Sequence, residues 1–341
     1  MTKFKKYSEI ENTYRQKTVN LIVEQGKSGG TWCVVEKAHG SNSSFWTSDG
    51  VNFKPAKRTA FVEEDEKFNN IHDVLRDNLD FLRNASTEIK DVFNKVEEII
   101  FFGEIIGGSY NHKAVPKNPT AIKVQKGVFY SPDNLFYLFD VKVNGSFIDH
   151  HLMSDLAQKY KIKIYAESIF EGDLEECLNY PNDGQSIISD NLDLEQISDN
   201  IMEGTIIKPV IPSYFNNGSR IILKNKNEKF AEKAQKSKRI KVKKNQEMSE
   251  NFNYVLNEVI RYVTENRLKN VISKFGDVTE KDFGKLCGMF TQDALNDFKK
   301  DNEPLYFTIV KEEQKILNKR ANTECANMLR KNFLNIIDKE F

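Results

Sequence analysis

Over its first two-thirds the chain sets short apolar runs between glycine, proline and asparagine. Thr31–Glu36, Ile99–Ile106, Leu135–Val143, Gly204–Val210 and Arg220–Lys224 are apolar and β-branched or alternate in polarity, as sheet strands do. Among them, Ile71, Val74, Leu75, Leu79 and Leu82 follow helical spacing, and Met153–Lys159 predicts another helix. After Lys244 the alternation is largely lost. Phe252, Leu256, Val259 and Val263 mark an amphipathic helix. Val271–Phe275, Asp282–Met289 and Thr291–Phe298 predict short helices with polar breaks, and Asn322–Ile337 predicts a closing helix. The pattern implies a mixed strand-and-helix domain over 1–234, a linker over 235–246 and a helical domain over 247–341. No repeat of solenoid period is present.

Composition narrows this picture without assigning chemistry. The 341 residues are 39% hydrophobic and 29% charged, enough for a sizeable core and typical of a soluble protein. No apolar run approaches the roughly 18 residues of a membrane span. Met1–Lys17 lacks the apolar stretch of a secretion signal. Cys33, Cys177, Cys287 and Cys325 lie far apart with no C-x-x-C pair, implying reduced thiols. The expected compartment is the cytoplasm, that of a phage- or virus-infected host included. Formal net charge is zero, yet Glu63–Glu66 and Glu171–Glu176 are acidic and Lys224–Lys244 is strongly basic. The basic run, which includes Lys238, Arg239 and Lys241, reads either as a solvated tether or as a segment contacting nucleic-acid phosphates.

The chemically informative stretch is Glu36-Lys37-Ala38-His39-Gly40-Ser41-Asn42, where a lysine leaves a strand and meets a glycine three residues on. Alone this also describes a surface lysine before a turn. Five further segments follow in order: Ala56-Lys57-Arg58-Thr59, Phe102-Gly103-Glu104, Phe136-Tyr137-Leu138-Phe139-Asp140, Glu203-Gly204-Thr205-Ile206-Ile207-Lys208, and Lys224-Asn225-Lys226. The ordered set resembles the nucleotidyltransferase motifs of covalent ligases and capping enzymes. His39, and Asn42 two residues after the glycine, narrow the resemblance to the bacteriophage-type RNA ligase 2 family, related to the RNA-editing ligases. It extends to Phe4-Lys5-Lys6-Tyr7 and to Asn266–Lys274, and so spans nearly the whole chain.

The resemblance implies an α+β fold: an antiparallel-sheet nucleotidyltransferase (ATP-grasp-like ligase) domain followed by a small all-helical domain that holds a nicked duplex. It implies an ATP-dependent RNA ligase in which Lys37 attacks the α-phosphate of ATP. A free lysine titrates near 10.4, so a nucleophilic lysine needs neighbouring cations or burial. Lys224 and Lys226, two apart on a strand, share a face and can supply cations to the nucleophile and to the phosphate; an exposed sheet face is the alternative. Glu203 is the candidate metal carboxylate, through water to Mg2+ with Mn2+ as substitute, or else a carboxylate at a strand start. Glu104 would accept from a ribose hydroxyl, and Glu36 from the adenine amino group. Asn42 and Arg58 would contact AMP, with a surface ion pair as the other reading of Arg58. Phe139 stacks on adenine or is plain core. His39 binds the departing pyrophosphate, orients its neighbours or caps a turn. Lys208 reaches a phosphate or lines the sheet rim. Ala38 completes the nucleotide-binding set.

The implied substrates are ATP and nicked double-stranded RNA or RNA/DNA hybrid, read through A-form shape and 2′-hydroxyls. An end-healing kinase-phosphatase is the expected partner, and a monomer the default state. A DNA ligase or capping-type enzyme would carry a β-rich domain after the last motif, where this chain has a helical pattern. A catalytically silent RNA-binding protein would have no need of Lys37, Glu104, Glu203 and both motif lysines. His150 and His151, adjacent on an expected strand, would point apart, and Gly103–Gly108 lacks the lysine of a P-loop.

Overall fold

A computed structural model describes residues 3–234 and 249–341. The chain divides into two compact units, Met1–Asn227 and Glu228–Phe341, a division that falls earlier than the expected domain end at 234. The whole of the expected linker, 235–246, with Lys238, Arg239 and Lys241, lies outside the described residues.

The first unit is built on two sheets. One takes the order β1 (Glu11–Asn12), β11 (Leu223–Lys226), β10 (Gly204–Pro209), β2 (Trp32–Glu36) and β9 (Ser168–Gly172). All its pairs are antiparallel except the short β1–β11 contact. The other, antiparallel throughout, runs β5 (Ala60–Phe61), β4 (Lys54–Lys57), β3 (Ser41–Thr47), β6 (Ile99–Gly107), β7 (Asn134–Val143) and β8 (Ser146–Phe147). Five helices accompany them: α1 (Gln16–Glu24), α2 (Ile71–Asp77), α3 (Leu79–Val92), α4 (His150–Lys159) and α5 (Leu174–Leu178). The apolar spacing from Ile71 to Leu82 is split between α2 and α3, with Asn78 between them. Phe45, Phe101, Phe136 and Leu138 from the six-stranded sheet pack with Leu82 and Ile89 of α3 and Met153 and Leu156 of α4 in the largest core.

His150 and His151 open α4 rather than lying on a strand. Asp149 caps that helix through the His151 N–H. His150 is buried, with its Nε2 3.1 Å from Ser168 Oγ, and His151 is exposed against Glu171.

The second unit is helical: α6 (Glu250–Ile260), α7 (Glu265–Phe275), α8 (Phe283–Asp301), α9 (Glu303–Tyr306) and α10 (Lys311–Ile337). The two short helices expected over 282–298 are one helix. Leu286, Phe290, Ala294 and Phe298 keep a single buried stripe through it, so the polar residues between them mark its outer face rather than a break. The closing helix begins eleven residues before the expected 322, since Leu317 and Ala321 extend its buried stripe backwards. All four cysteines are buried free thiols. Among the described residues no helix is long and apolar enough to cross a membrane.

Candidate active site

The register of β2 against β10 sets the site. Thr205 stands opposite Glu36, and the next residue, Lys37, leaves the sheet with its backbone N–H on the Gly204 carbonyl at 2.9 Å. That bond fixes Lys37 beside Glu203, the residue immediately before β10. Lys37 Nζ lies 2.7 Å from Glu203 Oε2, and Lys226 Nζ lies 2.9 Å from Oε1 of the same carboxylate. His39 Nδ1 is 3.3 Å from Glu203 Oε2. Burial opposes the Glu203 charge, but Lys226, Lys37 and His39 overcome it and hold the carboxyl well below its ordinary value.

Lys37 therefore contacts a carboxylate in this state, and Lys226 holds the other oxygen of that carboxylate. Lys224 and Lys226 share a face of β11, since they stand opposite Ile206 and Gly204 respectively. Gly204 has a φ of +148°, and a Cβ there would sit 2.2 Å from the Asn225 carbonyl, so only glycine lets β10 begin this close to β11.

The chain turns at Gly40 into β3. A Cβ at Gly40 would lie 2.4 Å from the Ile105 carbonyl, so close packing on β6 sets the need for glycine. Asn42 stands opposite Glu104 across β3 and β6, and its side chain favours the charged form of the Glu104 carboxyl. Desolvation pushes the Glu104 carboxyl up to about 7; Lys37 opposes this, Glu203 reinforces it, and Arg58 opposes it. Lys37, Glu104, Glu203 and Arg58 thus form one electrostatic cluster, drawn from four of the six sequence segments. Ala38 is buried beside it.

Glu36, only 1% exposed, has its carboxyl pushed up to about 7 by desolvation, against bonds from Ser186 and from the N–H groups of Ile187 and Ile188. The Ile187 N–H donates to Oε2 at 2.8 Å. Among the described residues no hydrogen bond reaches its Oε1, so one buried acceptor stands ready for a ligand donor.

Phe139 is half-buried with its ring edge-on to Tyr7 at 5.1 Å. Its carbonyl accepts from Lys208 Nζ at 2.9 Å. Lys208 is itself buried and also bonds Asp140 Oδ1 at 2.9 Å, so its ammonium serves the Phe139–Asp140 strand segment from below. Arg220 donates twice to the same carboxylate, at 2.7 and 3.0 Å, and Tyr7 donates to it as well. Burial opposes the Asp140 charge; Arg220 and Lys208 outweigh it and hold the carboxyl well below the usual carboxylate range.

A family model described as RNA ligase matches residues 30–226, more than half of the chain, and one described as T4 RNA ligase 2 C-terminal matches residues 244–327. The chain belongs to the RNA ligase family. Two curated relatives of this RNA ligase are from Trypanosoma brucei brucei. RNA-editing ligase 2, mitochondrial (strain 927/4 GUTat10.1) is 24% identical, over 88% of this chain and 84% of its own length. RNA-editing ligase 1, mitochondrial is 22% identical over 99% and 84%. A Naegleria gruberi RNA ligase mutant solved with ATP and Mn is 16% identical, covers 67% of this chain and has a TM-score of 0.46, a weak likeness; this chain spans 58% of that structure.

Sequence reasoning missed several residues around the RNA ligase site. Tyr130 accepts the His39 N–H at 2.9 Å, and Tyr137 donates to the Glu36 carbonyl at 2.9 Å. Ser186–Ile188 holds the Glu36 carboxylate. Tyr137 lies inside a quoted segment and two residues from Phe139, so strand alternation could have placed both on one face. Tyr130 and Ser186 sit in loops with no periodicity to expose them.

Proposed function

We propose that this RNA ligase uses ATP to seal 3′-hydroxyl/5′-phosphate nicks in duplex RNA or RNA/DNA hybrid. Lys37 Nζ attacks the α-phosphate, a P–N bond forms and pyrophosphate leaves. An oxygen of the RNA 5′-phosphate then attacks the phosphorus of the lysyl-AMP, the P–N bond breaks, and the adenylated end carries a 5′–5′ pyrophosphate. The 3′-hydroxyl finally attacks the RNA phosphorus, giving the phosphodiester and AMP. The observation that carries this reading is Glu203 held between Lys37 and Lys226 with His39 alongside.

The ion pair has a mechanistic consequence. Lys37 can attack only after its ammonium leaves Glu203 and loses a proton. Lys226 and Lys224 stand on β11, with β10 between them and the strand Lys37 leaves, and balance the charge that grows on the phosphate. The oxygen-only carboxylates Glu203 and Glu104 suit a hard, hydrated cation such as Mg2+, with Mn2+ as substitute. That ion would neutralise phosphate charge when bound.

The remaining roles are those that the family resemblance implies, and the placement of these residues supports them. Glu36 Oε1 accepts from the adenine amino group, the half-buried Phe139 ring stacks on the base, and Glu104 takes a ribose hydroxyl. Asn42 and Arg58, both coupled to Glu104, contact the AMP ribose and phosphate. Lys208 acts on the nucleotide through Phe139, whose backbone it holds. RNA ends of other chemistry would need an end-healing kinase-phosphatase first. Sealing measured on nicked duplexes with RNA or DNA on each side tests the substrate class. RNA is required on the 3′-hydroxyl side, and equal sealing of all-DNA nicks would refute it.

A further inference from the structure

The β6–β7 connection, residues 108–133, is long for a hairpin and has an unusual charge. Between Glu104 and Asp133 there is no acidic residue, while Lys113, Lys117, Lys123 and Lys126 all fall there, in a chain whose acidic and basic residues are equal in number at 50 each. Lys113, Lys117 and Lys123 are exposed. A connection of this length without regular structure carries an ordering cost, and long ordered loops are commonly functional.

This loop is tied down at its base. The Asn134 side chain bonds both the N–H and the carbonyl of Ile122, at 2.8 and 2.7 Å. Gln125 accepts from the Gly107 N–H, and the Asn200 side chain brackets Phe129 through both its N–H and its carbonyl. Tyr130 accepts from the His39 N–H, joining the loop directly to the nucleophile turn. Sheet register gives the same placement. The loop leaves the end of β6 just beyond Ile105, the residue opposite the start of β3, and Gly40 packs against Ile105. The lysine-bearing loop and the Lys37–Gly40 turn therefore occupy the same end of the six-stranded sheet.

We propose that residues 108–133 form an RNA-docking loop, in which Lys113, Lys117 and Lys123 contact backbone phosphates of the strands being joined. The inference rests on the RNA ligase reading and adds a contact surface within the nucleotidyltransferase unit itself. Phosphates are the fitting partner because the loop carries four lysines against a single carboxylate, Asp133, at its last position, and sits at the same end of the sheet as the Lys37–Gly40 turn. Lysine contacts to phosphate give position and salt-dependent affinity without reading sequence.

The test replaces Lys113, Lys117 and Lys123 together with glutamine in the full chain. A second variant, with Lys95, Lys161 and Lys163 changed to glutamine, carries the same charge change outside the loop. Binding to a nicked RNA duplex is measured at several salt concentrations, beside lysyl-AMP formation at several ATP concentrations. The loop variant should bind RNA about 10-fold or more weakly near 0.1 M salt, with the slope of log affinity against log salt flatter by roughly 2 to 3. Its lysyl-AMP formation should match wild type, and the second variant should bind RNA nearly as wild type does. Unchanged RNA affinity and slope in the loop variant would overturn the proposal. So would a raised ATP requirement, which would assign the lysines to the triphosphate, or an equal loss in both variants, which would mean net charge alone. Failure of the wild-type chain to form lysyl-AMP would instead sink the ligase reading itself.

Discussion

The Lys37 ammonium and the Glu203 carboxylate face each other at 2.7 Å, with the carboxylate only 1% exposed. On the proposed mechanism this contact must open before Lys37 can attack ATP. Glu203→Gln keeps the shape and removes the anion that gathers Lys37, His39 and Lys226. Lysyl-AMP formation should fall roughly 100-fold or more, in the range seen when one electrostatic group of an active site is lost. Single-turnover labelling with ATP measures it, and a near-wild-type rate would remove Glu203 from the chemistry.

Glu36 makes stability depend on pH in a stated direction. Its folded-state value, about 7, lies above the ordinary 4.5. The protonated side chain is the better-accommodated form, so this contribution is whole below about 4.5 and is lost as pH rises through about 7. The difference is on the order of 3 kcal/mol. Glu36→Gln should therefore flatten the fall in apo-protein stability between pH 5 and 8 in denaturant titrations. Parallel wild-type and mutant curves would contradict the burial of an uncharged Glu36.

The same residue bears on the choice of base. Stacking on Phe139 would be worth roughly 1–3 kcal/mol for any base, so discrimination must come from hydrogen bonding. GTP should label the chain far less than ATP does, and Glu36→Ala should narrow the gap. Equal labelling of wild type by both nucleotides would remove Glu36 from base recognition.

The helical unit holds a buried charge cluster of its own. Arg267, 1% exposed, lies 2.9 Å from Asp297 and 3.5 Å from Glu232, and also pairs with Asp293. Burial works against its charge, but Glu232, Asp297 and Asp293 outweigh that and hold its guanidinium above the ordinary value. Arg267→Ala strands three carboxylates around a cavity and should destabilise this unit by about 3–5 kcal/mol, as breaking a buried pair does. Chemical denaturation of the variant checks it, and a loss below 1 kcal/mol would mean that solvent screens the cluster.

All six nucleotide segments end by Lys226, within the unit that closes at Asn227. A fragment ending near Lys244 should still form lysyl-AMP and should seal nicked duplex poorly. Sealing by the fragment as fast as by the full chain would refute a duplex-binding role for the helical unit.

Strand positions were legible because buried strands are written as unbroken apolar runs: Ile99–Gly107 and Asn134–Val143 differ from the expected spans by one residue at one end. The long helices of the second unit were less so. Polar residues on the exposed face of Phe283–Asp301 look like breaks when read along the chain and not around it. The residues of the cluster at Glu203 could be named from sequence because Lys37, His39, Glu203 and Lys226 stand in the ordered segments that carry the family resemblance. Its pairing was not legible. Which cation meets which carboxylate depends on the β2–β10 register, and the grip on Asp140 by Tyr7, Lys208 and Arg220 joins residues up to 213 positions apart.

The central claim is that Lys37 carries AMP, and mapping the adenylate on the protein tests it most directly. After reaction with ATP and a divalent cation, the wild-type chain should show one AMP, on Lys37, by peptide mass spectrometry. Lys37→Ala should show none, while retaining some sealing of RNA supplied already adenylated, since transfer to lysine belongs to the first step alone. AMP found on another lysine, or undiminished in Lys37→Ala, would contradict the account.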